Sequence, residues 1–113
     1  MLADVMYNNV PPQVMDADVK IYDAIDASRL KMVGEQELYN LTHEQRKQLL
    51  LARYTITQTG DETVVSVNFV DYFTGRPIAS CRGAYGMGLD HDADYNGAMK
   101  KLASQIKATF PKD

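Results

Sequence analysis

Asp90, Asp92 and Asp94 stand at alternate positions around His91, and theirs is the segment whose residue types and spacing come nearest to metal chemistry. Alternate carboxylates open a calcium loop, which then needs glycine at its sixth position and a bidentate glutamate at its twelfth. Tyr95 and Lys101 occupy those places. The segment therefore reads as a solvated loop whose acids cap the next helix, with calcium expected to bind weakly or not at all. His43 and His91 lie in different segments, and the chain has no third histidine to complete a zinc site. Cys81 is the only cysteine, so no internal disulfide forms; it reads as a small apolar strand residue. The run Gly83, Ala84, Tyr85, Gly86, Met87, Gly88 looks superficially like a phosphate-binding turn. It follows a hairpin, lacks the P-loop lysine and precedes three aspartates, so a strand end with close backbone approach is the better reading. No nucleophile, base and orienting group can be assembled, and no catalytic residue, metal ligand or cofactor is expected.

The elements that would position any site come from one domain. A chain of 113 residues, 45% hydrophobic and 24% charged, builds one core without staples. A net charge of −3 gives no long-range field for a polyphosphate, which argues against nucleic acid. The first residues include an early acid and no long apolar run, so they are not read as a signal peptide, and no stretch approaches a membrane span.

Residues 4–10 read as a short strand ended by Pro11 and Pro12. A helix follows, capped by Asp16, with Val14, Ala17, Ile21, Ala24, Ile25 and Ser28 at helical spacing. Met15, Val19 and Tyr22 form an adjoining stripe, which implies packing on two sides. Residues 29–33 alternate as a strand with Leu30 and Met32 on its apolar face. Thr42 and Gln45 form a capping box for a short helix expected to run to about Leu51. Residues 52–59, 63–71 and 78–87 read as three sequential antiparallel strands. Tyr95, Ala98, Met99, Leu102, Ala103, Ile106 and Phe110 then mark a helix capped by Asp92 or Asp94 and ended by Pro111. The order implies an α+β fold: a mostly antiparallel sheet of four to five strands with helices on one face.

Four segments carry a family likeness: residues 29–38, 51–57, 67–79 with their valine-aspartate, threonine-glycine and isoleucine hairpin pattern, and 98–106. Together they resemble the bacterial lipoprotein group that contains the curli secretion channel and the outer-membrane activators of penicillin-binding proteins. The fold of that group is related to the amino-terminal domain of the Tol translocation protein. The resemblance implies a non-enzymatic accessory module that docks on an assembly or cell-wall synthesis partner. The family's lipid-bearing cysteine and its long channel-forming insertions do not occur in these residues, so an accessory domain is implied and not a pore. Its place would be periplasmic or outer-membrane-associated if an export signal has been trimmed, with any membrane contact made through a lipid anchor, and cytoplasmic otherwise.

The hairpin also has a local reading. Gly75 can take a positive φ, Asp71 and Thr74 can bond turn amides, and Pro77 restarts an extended strand. Tyr72 and Phe73 then stand at a tip that local packing does not require to be aromatic. With Tyr85 and Met87 they form the expected partner-contact surface. A small-molecule or metal-binding domain using residues 83–94 is the second reading, and a small enzyme the third.

Overall fold

The computed structural model describes residues 5–8, 15–59, 61–86 and 91–112. The chain order is β1 (Val5–Asn8), α1 (Met15–Asp26), β2 (Lys31–Val33), α2 (Glu35–Leu38), α3 (His43–Lys47), β3 (Leu49–Gln58), β4 (Thr63–Asp71), β5 (Pro77–Tyr85) and α4 (His91–Thr109). The α+β class and the three sequential antiparallel strands, β3 to β5, are as expected. Only β3 to β5 are antiparallel among the described residues, fewer than the mostly antiparallel sheet of four to five strands that the sequence implied. Among the described residues the sheet order is β2-β1-β3-β4-β5, and β1 pairs in parallel with both neighbours. Parallel neighbours need a crossover, and α1 supplies it between β1 and β2.

Strand alternation decides the two faces of the sheet. Leu50 and Ala52 on β3, Val65, Val67 and Phe69 on β4, and Cys81 on β5 are buried on one face. Against them pack Ile21 and Ile25 of α1 and Met99, Leu102 and Ile106 of α4. The Phe69 and Phe110 rings meet edge to face with 5.0 Å between centroids. Gly83 shows why β5 tolerates glycine: a Cβ there would overlap the Ala98 carbonyl of α4. The glycine is a close approach of helix to strand, as the sequence implied.

Several local expectations change. The two long helices share one face, but Leu38 and Leu41 pack on Val33 and Leu49, which alternation places on the other. Helix α3 ends at Lys47 and β3 begins at Leu49, earlier than residue 52. Leu49 and Leu50 are buried on opposite faces, so this part of the strand carries no period-2 signal. The capping box at Thr42 and Gln45 forms as expected. Asp16 lies inside the first turn of α1, and Asp92 and Asp94 both lie inside α4, Asp94 at 2% exposure, so none is the cap assigned to it. Val19 and Tyr22 are 56% and 46% exposed; α1 is packed on one side, because apolar type alone does not supply a second neighbour.

Candidate functional site

The turn between β4 and β5 is built by its own polar groups. The Asp71 carboxylate accepts from the amides of Phe73 at 2.9 Å and Thr74 at 3.0 Å. The Asp71 amide donates to the Arg76 carbonyl, the Gly75 amide donates to the Asp71 carbonyl, and the Thr74 hydroxyl accepts from the Arg76 amide. Gly75 has φ of 72°, a conformation that favours glycine. The Thr74 amide, with burial opposing and the Phe73 amide and Arg76 charge helping, holds the Asp71 carboxyl below its ordinary value. The carboxylate is therefore charged at neutral pH and keeps accepting from both amides.

This turn presents Tyr72 and Phe73 to solvent at 43% and 58% exposure, edge to face with 5.9 Å between ring centroids. Ile78, the second residue of β5 after the turn, is 53% exposed. Phe69 pairs with Ala79 and Val70 with Pro77, so Ile78 is the extra residue of a β-bulge. A bulge re-aims a side chain, and here it leaves an aliphatic group exposed at the turn end of β5. On the same side, Asn68, Val70, Pro77, Ile78 and Ser80 help line a concavity of about 450 Å³, whose polar end is the 2.7 Å hydrogen bond from Ser80 to Asn68. Sequence reading missed Ile78. The available signal was its phase, even-numbered on a strand whose core residue is Cys81.

Of the other expected contact residues, Tyr85 does not join this surface. Tyr85 pairs with Thr63 at the opposite end of β5, is half-buried against the core, and has the Lys101 ammonium 5.3 Å from its ring centroid. Met87 lies outside the described residues, as does Asp90. Cys81 is fully buried, with its thiol 3.5 Å from the Thr109 hydroxyl, which fits its reading as a packing residue. Among the described residues no group of acids, histidines or cysteines gathers to hold a metal, and no helix is long and apolar enough to cross a membrane.

A polar cluster that the sequence did not reveal joins the N-terminal halves of α1 and α4 to β3. The Tyr95 hydroxyl donates to Asp16 at 2.9 Å, and the Lys20 ammonium donates to Asn96 at 2.8 Å while sitting 4.6 Å from the Tyr95 ring centroid. Burial, and then the Asp18 carboxylate that accepts from its hydroxyl, push the Tyr54 phenol up to about 12. Burial and the bond to Asp16 raise Tyr95 as well. Both phenols stay protonated at neutral pH and act as donors that tie the elements together. Beside this cluster an open groove of about 620 Å³ runs between α1 and α4, floored by Ala24, Ala27, Met99 and Ala103.

No family model matches the sequence, and no curated protein matches it.

Proposed function

We propose that the protein works by contact and not by turnover, as an accessory interaction module of the bacterial envelope. The observation that carries the reading is the aromatic pair Tyr72 and Phe73, held out at the tip of a turn whose polar groups are already satisfied. Large rings exposed on a rigid support supply contact area at small entropic cost, which is the character of an interface anchor. Ile78 and the adjoining concavity extend the surface to one that suits an apolar side chain of a protein partner. The envelope setting rests on the likeness of residues 29–38, 51–57, 67–79 and 98–106 to the lipoprotein group.

The test is Tyr72→Ala with Phe73→Ala, followed by crosslinking in envelope fractions and by thermal melting. Loss of a discrete crosslinked partner with melting unchanged supports the proposal. Unfolding of the double variant would show that the rings serve the core.

A further inference from the structure

The outer edge of β5 meets α4 in a concavity of about 390 Å³ lined by Arg82, Lys100, Lys101, Ser104 and Gln105. Three of these five residues are cationic and none is acidic. The ion pairs found among the described residues, Lys20 with Asp16 and Lys47 with Glu44, leave all three cations out. Like charges brought together without a counter-charge among the described residues repel, on a chain whose net charge is negative. Lys100 with Ser104, and Lys101 with Gln105, are four apart on α4 and so share one helix face.

Two of the groups are already oriented. The Gln105 side-chain oxygen accepts from the Arg82 amide at 2.7 Å. Since only oxygen can accept there, its NH₂ must present both donors elsewhere. The Lys101 ammonium is held near the Tyr85 ring. The α4 side of the wall therefore offers two ammoniums, an amide donor and a hydroxyl, while Arg82, whose side chain starts from the opposite face of β5, lines it at the open edge of the sheet. Such a set matches a ligand that only accepts and carries multiple negative charge.

We infer that this concavity is a binding site for a phosphate group, with Lys100 and Lys101 as the neutralising charges and Arg82 reaching it around the open edge of β5 as the third cation. A phosphate monoester carries about −1.5 to −2 at neutral pH, which the three cations more than balance. The site is local, so it stands with the low overall charge that argues against nucleic acid. It is independent of the Tyr72 and Phe73 surface, and either can fail without the other.

The shared chemistry could come from a soluble phosphate or from a phospholipid headgroup. Two probes separate them: pyrophosphate titrated into the full chain with amide chemical shifts as readout, and co-sedimentation with phosphatidylglycerol or phosphatidylcholine vesicles. The variant is Arg82→Gln, Lys100→Gln, Lys101→Gln, and the charge-matched control is Lys31→Gln, Arg53→Gln, Lys107→Gln; all six positions are exposed. The expected result is saturable shifts at Arg82 and the Gln105 side chain, or selective phosphatidylglycerol binding, weakened at least about tenfold in the site variant and unchanged in the control. Whichever probe behaves so identifies the source. Equal weakening in both variants, unaltered binding in the site variant, or no binding of either probe would overturn the inference.

Discussion

The Tyr72 amide donates to the Leu49 carbonyl at 3.1 Å, one step past the last register pair of β3 and β4, Leu50 with Asp71. The aromatic tip is thus fastened to the start of β3 as well as to its own hairpin. A contact surface held on both sides loses little freedom when a partner binds.

The core assignment of α4 predicts a sharp contrast between neighbours. Leu102 is 1% exposed among Val67, Cys81 and Ile106, whereas Lys101 faces solvent. Leu102→Ala should destabilise by about 2–5 kcal/mol in chemical denaturation, and Lys101→Ala by less than about 0.5 kcal/mol. Equal effects would mean that the wrong helix face has been placed on the sheet.

The close approach at Gly83 predicts that one methyl group is not tolerated. Gly83→Ala forces the Ala98 backbone away and should cost about 1–3 kcal/mol or more. At Gly34, which precedes α2, an added Cβ meets nothing nearer than the Glu37 carboxylate at 3.8 Å, so Gly34→Ala should cost only about a few tenths of a kcal/mol. Denaturant midpoints of the two variants check this ordering.

Asp71 predicts a pH dependence of hairpin stability. Its folded-state pKa is depressed below the ordinary 3.8, so the charged form favours folding. That contribution is complete above 3.8 and is lost as pH falls through the lower folded-state value. The melting-temperature advantage of the native chain over Asp71→Asn should be flat toward neutral pH and shrink in acid. An advantage that grows on acidification would contradict the turn geometry.

These sites differ in how much of them the sequence discloses. Helix α4 and the β4–β5 turn are legible because their signals are local: helical spacing of Met99, Leu102 and Ile106, and turn chemistry at Asp71, Thr74 and Gly75. The parallel pairing of β1 with β3 is not, since Val5 and Leu49 meet across four intervening elements. Tyr95 with Asp16, 79 residues apart, escapes for the same reason. Val19 and Tyr22 mislead because an apolar stripe states a capacity for burial, and only the neighbouring elements decide whether it is used.

The surface at Tyr72 and Phe73 is tested most directly by a photo-reactive amino acid placed at Phe73, and separately at Lys107 on the exposed face of α4, in otherwise native protein within bacterial cells. A discrete envelope-protein adduct from position 73, absent from position 107 and abolished by Tyr72→Ala, is the predicted result, with melting shifted by less than about 4 °C. Equal adducts from both positions, or none from position 73 in a folded protein, would contradict it.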